Sequence, residues 1–240
     1  MFTANKDEYA LRTLNSILNS IKYFNKNFNQ VKIKIFIIDD SSHESFLQKV
    51  NELFKKFDTN YEIFNLEKDN LISKDNDSNF ESLKKCFNLA KENSKDLIYF
   101  VEDDYIHDVI CIGEMIGAYE RISTQLNKEI LLCPSDYPYL YADCNSTYVL
   151  LGNKRHWRKT EQSLGTFLIS KKNLELYWQN LMQFSSGKDD PAELALHDIY
   201  NKEPCFSPIP SLSIHCANIN SIYGISPNTD WKKLWDENEF

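Results

Sequence analysis

The sequence of 240 residues has no apolar run approaching the ~18 residues needed to cross a bilayer, so a membrane-spanning helix is excluded. Its N-terminus lacks the basic-then-apolar order of a signal peptide. The six cysteines, Cys86, Cys111, Cys133, Cys144, Cys205 and Cys216, include no CxxC pair, and several lie in apolar surroundings. That distribution fits reduced, buried thiols and excludes a disulfide framework or a zinc site. A basic tail or Lys/Arg-rich stripe is also missing. With net charge −8 and pI about 5.2, the chain does not carry the footprint of a nucleic-acid binder. The expected setting is cytoplasmic, with membrane association not indicated. What is present is 42% hydrophobic and 13% aromatic residues, enough to bury a real core and to exclude a disordered chain.

Helical spacing of Leu11, Leu14, Ile17, Leu18 and Ile21 predicts an amphipathic helix from Glu8 to about Phe24. The next segment, "VKIKIFIIDDSS", alternates and then becomes continuously apolar from Ile35 to Ile38. This suits a strand buried on both faces and ending at Asp39-Asp40. A helix over about Ser45–Phe57, a strand over Tyr61–Leu66 and a helix capped by Ser78 or Asn79 follow. They lead into "LIYFVEDDYIHD", where the apolar run Leu97–Val101 meets Glu102-Asp103-Asp104. The alternation of strands and helices implies an α/β fold with a mostly parallel, doubly wound sheet and helices on both faces, in a single domain.

Open sheets of this kind bind ligands beyond the carboxyl ends of their strands, and two of these strands end in acid clusters. Neighbouring carboxylates repel, and when desolvated they need a cation or hydrogen-bond donors. Oxygen ligands favour Mg²⁺ or Mn²⁺, which commonly bind one or two carboxylates together with substrate phosphates. A solvated loop that caps the following helix is the alternative. For Asp39-Asp40-Ser41-Ser42 a turn and a helix cap are likewise consistent with the residue types.

The segments "TANKDEYALRTLNSI", "FIIDDSS" and "SNFESLKKCFNLAKENSKDLIYFVEDD" occur in an order that resembles the nucleotide-sugar glycosyltransferases of the GT-A fold, especially the family 2 type. The resemblance implies a Rossmann-like sheet, a nucleotide-binding half at residues 1–104 and an acceptor-binding half at 105–240. It places Glu102 and Asp104 at the acid positions of the family's DxD motif, with glutamate where aspartate is usual. Thr3 and Asp39, followed by Asp40, would contact the nucleotide. Asp104 would hold the metal, with Glu102 and Asp103 on the ribose, the metal or its bound water. A GT-A domain should also open with an apolar strand. Only Met1-Phe2-Thr3-Ala4 precede the N-K-D turn here, so that strand is expected to be very short or to begin outside this sequence.

Further along, "LLCPSDYPY" predicts a short strand at Ile130–Cys133 and an irregular loop after it. Lys154, Arg155, His156, Arg158 and Lys159 form the only basic cluster, suited to a diphosphate or acceptor anion or to a solvated loop. By the resemblance, the segment near "GTFLIS" lies on the acceptor side, where Trp157, Tyr137, Tyr139 and Tyr141 could stack on a sugar; aromatic residues also fill cores. Asp190 reads as a helix N-cap, with Pro191 at the first helical position and Glu193 in the capping-box place. Asp198 lies on the same short helix. It aligns with the second acid of the family's E-D motif, the catalytic base, although His197 stands where the first acid would be; Glu193 is the reserve base. In "PSLSIH", His215 matches the histidine that completes the family's metal shell, and an imidazole ligand suits Mn²⁺ somewhat better than Mg²⁺. Trp231, Leu234 and Trp235 predict a helix docked on the body, a lid or a membrane-interface contact.

The resemblance implies transfer of a sugar from a nucleotide diphosphate sugar, UDP-linked by expectation, to a glycan or other hydroxyl acceptor, with inversion. Two other readings remain open. One is a nucleotidyltransferase of similar fold, although that class usually carries a Gly-rich basic loop after its first strand, which is absent here. The other is an inactive nucleotide- or glycan-binding module.

Overall fold

A computed structural model of the protein describes residues 4–28, 31–57, 59–66, 78–143, 146–217, 219–226 and 228–240. Helix α1 (Lys6–Asn25) begins two residues before the expected start, because the Asn5 side chain caps it by accepting the Glu8 N–H at 2.9 Å. Its apolar stripe is buried as expected, but so are Arg12, Thr13, Asn15, Ser16 and Ser20. α1 is therefore a central helix, and its Arg12, Asn15, Ser16 and Ser20 side chains bond to the elements that surround it.

Strand β1 (Ile35–Asp39) is followed by α2 (Glu44–Phe57) and by β2 (Tyr61–Asn65), which pairs parallel with β1. After α3 (Ser78–Asn93) come β3 (Leu97–Phe100), β4 (Tyr105–His107), α4 (Cys111–Leu126) and β5 (Leu131–Leu132). A 3-10 turn at Pro138–Tyr141 precedes β6 (Val149–Leu151), β7 (His156–Thr160) and β8 (Phe167–Ser170). The chain continues through α5 (Lys171–Leu176), α6 (Trp178–Phe184), α7 (Leu194–Tyr200), β9 (Cys205–Ile209), β10 (Ser213–His215) and α8 (Trp231–Glu237).

The class is mixed α/β, but the expected mostly parallel sheet is not what forms. The main sheet has the order β3-β8-β5-β9-β7-β6, and within it only β5 and β9 run parallel. β1–β2 is a separate parallel pair, and β4–β10 a separate antiparallel one. Parallel neighbours need a crossover of a dozen or more residues, usually helical. The regular helix–strand alternation stops at β3, and the strands that follow are joined largely by loops. Both halves of the chain share the main sheet, since β3 pairs with β8, so the described residues form one domain.

Successive residues of the central strands point into opposite layers. Leu131, Phe167, Ile169 and Cys205 pack with α3, α5, α6 and α7, whereas Leu132, Leu168 and Phe206 pack with α4 and Trp157. This two-sided burial explains the continuous apolar runs. Cys86, Cys111, Cys133, Cys205 and Cys216 are free thiols; Cys144 lies outside the described residues. Among the described residues no helix is long and apolar enough to cross a membrane.

α8 is docked on the body rather than projecting from it. Trp231, Leu234 and Trp235 pack on Ile106, Ile214 and Cys216, directly behind the β4–β10 pair. Arg12 donates to the Trp235 carbonyl at 2.5 Å and lies 4.2 Å over the Trp235 ring, while its guanidinium also pairs with Glu8 at 2.9 Å. Asn15 donates to the Asn238 and Glu239 carbonyls.

His107 joins α1 to β3 through two ring contacts, Nδ1 to Ser16 Oγ at 3.3 Å and Nε2 to Tyr99 Oη at 2.7 Å. The Ser16 hydroxyl donates to the Thr13 carbonyl, so Nδ1 carries the histidine proton and Nε2 accepts from Tyr99. Burial pushes the His107 pKa down to about 3. Below the ordinary histidine value near 6.5 the unfolded chain takes up a proton that the folded chain refuses. Stability is therefore fully present above about pH 6.5 and falls by about 1.4 kcal/mol per pH unit toward pH 3 from this group. Urea titrations between pH 6 and pH 4 should show a slope shallower by about that amount in His107→Gln; equal slopes would remove the assignment.

Candidate active site

The site is built where β3 ends and β4 begins. The β3–β8 register, Phe100 opposite Phe167, brings Thr166 beside Glu102. The Thr166 hydroxyl accepts the Glu102 N–H at 3.0 Å and donates to Glu102 Oε2 at 3.0 Å, fixing main chain and carboxylate together. Gly165 makes the space, since a Cβ there would stand 3.1 Å from the Glu102 carboxyl carbon. Glu102 keeps surface open to solvent, yet protein atoms crowd it enough that burial, and next the charge of Asp104, push its pKa up to about 7.

Asp104 and His215 are held opposite one another by the β4–β10 pair, in which His215 is the partner of Tyr105 and the Cys216 N–H donates to the Asp104 carbonyl at 2.8 Å. His215 Nε2 lies 3.1 Å from Asp104 Oδ2. The imidazole stacks on Tyr105, with centroids 4.9 Å apart, and its Nδ1 donates to the Tyr223 carbonyl at 3.2 Å. A carbonyl can only accept, so Nδ1 is protonated and Nε2 is the atom turned toward Asp104. Burial opposes the His215 cation, but the hydrogen bond and charge of Asp104 outweigh it and raise its pKa. Asp103 projects to solvent, 3.6 Å from Lys6, and burial raises its pKa against the pull of that lysine.

The other sequence-predicted residues divide. Asp39 is buried at the end of β1, where its carboxylate accepts the Ser42 N–H at 3.3 Å, so the turn-capping role is realised there; Asp40 is exposed. Thr3 lies outside the described residues. The helix expected to start after Asp190 starts later, with Glu193 at the N-cap position and without a side-chain capping bond. The Glu193 carboxylate is therefore not consumed by a capping box. It is half-buried, and its charge helps to raise the pKa values of both Glu102 and Tyr223. Asp198 is exposed. It shares the solvent stripe of α7 with Leu194, four residues earlier, while Ala195, Leu196 and Ile199 face the core.

The basic cluster is dispersed by β7. Arg158 turns inward to pair with Asp136, Arg155 pairs with Asp108 at 3.3 Å, and Lys159 pairs with Glu161 at 3.3 Å. Trp157 is fully buried, with its Nε1–H donating to Glu114 at 3.1 Å, and Tyr137 is buried with its hydroxyl on that of Tyr105. Tyr141 bonds to Asp136 and lies under Arg158. Of the four aromatic residues proposed for sugar stacking, Tyr139 is half-buried beside the site. Its ring tilts against Tyr223 at 5.4 Å, and the Tyr223 hydroxyl donates to Gln162 at 2.9 Å.

Sequence reasoning did not find Thr166, Gly165, Tyr223 or Gln162. The only local sign of the first two was a small residue and a hydroxyl at the head of the "GTFLIS" strand. The arrangement defines a mixed α/β protein with a carboxylate–imidazole cluster where β3 of its main sheet leads into the β4–β10 pair. No protein-family model matches the chain, and no curated protein is significantly similar to it.

Proposed function

We propose that the protein is a metal-dependent glycosyltransferase that moves a sugar from a nucleotide diphosphate sugar, UDP-linked by the resemblance, to a hydroxyl of a glycan or other acceptor, with inversion. The observation that carries this reading is the Asp104–His215 pair, 3.1 Å apart, beside a second carboxylate whose pKa is raised to about 7. Excess negative charge in a cleft, with an imidazole nitrogen oriented into it, suits a divalent cation.

Among the described residues no three His, Cys, Asp or Glu side chains are arranged to hold a metal ion. Asp104 and His215 suffice as protein ligands where substrate phosphates and water complete the shell, which is the usual habit of Mg²⁺ and, with imidazole present, of Mn²⁺. Such an ion supplies Lewis-acid stabilisation of the charge that develops on the departing diphosphate. The chain's own residues do the rest. Thr166 holds Glu102 against the donor side of the cleft, and Tyr223 holds the orientation of His215 through its carbonyl. Tyr223, Tyr139 and Gln162 form a wall on which an acceptor sugar can rest.

Glu193 is the base. As the acceptor oxygen bonds to the anomeric carbon and the bond from that carbon to the diphosphate oxygen breaks, the hydroxyl proton passes to the Glu193 carboxylate. Its charge reaches Glu102 and Tyr223, whereas Asp198 faces solvent.

The test is thermal denaturation with UDP, GDP and a panel of UDP-sugars, each with and without Mn²⁺. A bound nucleotide at about a hundred times its Kd adds ~2.7 kcal/mol. In a domain of this size that corresponds to roughly 5–10 °C. The rise should require Mn²⁺ or Mg²⁺ and should vanish in Asp104→Ala. No metal-dependent rise with any nucleotide, or one that survives Asp104→Ala unchanged, defeats the proposal.

A further inference from the structure

The C-terminal end of α1 gathers lysines from three separate stretches of the chain. Lys22 Nζ lies 5.4 Å from the centroid of the Phe57 ring at the end of α2, and Lys56 Nζ lies 5.9 Å from the same ring. Lys154, from the loop between β6 and β7, reaches α1 as well and donates to the Tyr23 hydroxyl at 3.5 Å. Lys26 follows Tyr23 by three residues and Lys22 by four, which sets it on their side of the helix. The chain then returns along α1, since Ile33 packs against Ile21 and Phe24, and this leaves Val31 and Lys32 at the same end. All five lysines are exposed, and among the described residues none of them pairs with a carboxylate.

The positive charge is local. From Tyr9 to Ile38 the sequence has no Asp or Glu, in a chain with 35 of them in 240 residues. The sequence of residues 22–35, 52–62 and 152–154, the stretches that supply this end, holds seven lysines against three acids, whereas the whole chain has net charge −8. Of those acids, Glu62 is taken by Lys34 at 2.5 Å, Glu52 lies one turn before Lys56, and Asp58 lies outside the described residues. No single run of sequence carries this cluster, so it comes into view only when the three stretches are brought together. Apolar side chains stand among the lysines. Phe28 stacks on Phe24 with centroids 5.1 Å apart, yet it is 53% exposed, and Val31 and Tyr23 are 41% and 38% exposed. One exposed apolar residue means little, but three at one lysine-rich end form a patch.

We propose that this end of the molecule is the docking face for a membrane surface that carries anionic lipid. The ammonium groups answer the negative headgroups, and Phe28, Val31 and Tyr23 enter the boundary between headgroups and acyl chains. A nucleic acid would meet the same charge, but exposed Phe and Val gain nothing from a phosphate backbone. Arginine is the side chain suited to gripping phosphates in pairs of hydrogen bonds, and the one arginine of this loop, Arg155, is paired with Asp108 at 3.3 Å. At the other end of α1, Lys6 lies 3.6 Å from Asp103. A helix of 20 residues is about 30 Å long, so the docking face and the acid cluster stand well apart and membrane binding leaves the cluster uncovered.

The test is flotation of the full chain with vesicles of phosphatidylcholine alone and of phosphatidylcholine with phosphatidylserine at about 7:3. The chain should bind only the mixed vesicles, and binding should fall steeply between about 0.05 and 0.5 M NaCl as screening sets in. Lys22→Glu with Lys26→Glu should weaken it about tenfold or more, since each lysine at such a surface is worth roughly a fivefold factor. Phe28→Ser keeps every charge and should weaken it several-fold. Lys128→Glu with Lys202→Glu makes the same change in net charge beyond the far end of α4 from Phe24, and should leave binding within about twofold because these positions lie more than a Debye length away. No binding to the mixed vesicles, equal binding to neutral ones, or equal losses from the two double reversals overturns the proposal. So does duplex DNA that binds as tightly as the vesicles and is indifferent to Phe28→Ser.

Discussion

Glu193→Gln should abolish sugar transfer, by about 10²–10⁴-fold in kcat, while Asp198→Asn leaves it within about twofold. The contrast follows from α7. Glu193 sits at the N-cap position without a capping bond, half-buried, with its negative charge felt at Glu102 and at the Tyr223 hydroxyl. A base must reach the acceptor proton through one hydrogen bond or one water, and under the proposed function an acceptor resting on the Tyr223–Gln162 pair would present its hydroxyls on that side. Asp198 lies five residues further on, in the solvent stripe of the same helix. The measurement is transfer rate at saturating donor and Mn²⁺. Retention of the nucleotide-dependent thermal shift in Glu193→Gln separates a lost base from a lost donor site. The opposite ranking of the two variants would return the role to Asp198.

Glu114→Ala should cost about 3–5 kcal/mol in stability, the expected scale for removing one partner of a buried charged network. Glu114 lies in the first turn of α4 and is buried. Its carboxylate accepts the N–H groups of Asn153 at 2.9 Å, Lys154 at 2.5 Å and Arg155 at 3.1 Å, and the Trp157 Nε1–H at 3.1 Å. Truncation leaves all of these donors without their acceptor. Gly152 marks how closely the loop is drawn in: a Cβ there would meet Trp157 Nε1 at 2.3 Å and Glu114 Oε1 at 2.5 Å. The readout is the urea midpoint at unchanged m-value. A loss below about 1 kcal/mol would mean that water replaces the carboxylate and that the loop is not held from α4.

These two residues also show where sequence reasoning reached and where it stopped. The first third of the fold was legible nearly to the residue. The expected strand Tyr61–Leu66 is β2 at Tyr61–Asn65, and the expected helix Ser45–Phe57 is α2 at Glu44–Phe57, because periodicity and capping are local signals. α4 passed unnoticed. It carries Gly113 and Gly117, which weaken a helical signal, yet a Cβ at Gly113 would stand 3.1 Å from the Phe24 ring, so glycine permits α4 to pack close against α1. Antiparallel partners far apart in sequence leave no such local trace. Asp104 and His215 could be paired only through the order of motifs in a resembling family, and Thr166 could not be connected to Glu102 without the β3–β8 register. Glu193 was ranked behind Asp198, as the reserve base, because the helix start was placed at Asp190 and a capping box accounted for its carboxylate; α7 in fact starts at Leu194, and element boundaries are the least secure part of any such reading.

The contact between α1 and α8 has a consequence for biosynthesis. Arg12 and the Trp235 carbonyl are 223 residues apart, and α8 packs behind the strands that carry Asp104 and His215. At ~5–20 residues per second, α1 waits on the order of 10–45 s on the ribosome for the partner that buries its polar face. Until α8 emerges, β4, which follows Asp104, lacks its backing helix. A nascent chain can fold β1, α2 and β2 early, but the acid cluster is backed only once α8 has been translated, and a ribosome stalled before Trp231 would hold a chain with the carboxylates in place and no helix behind them.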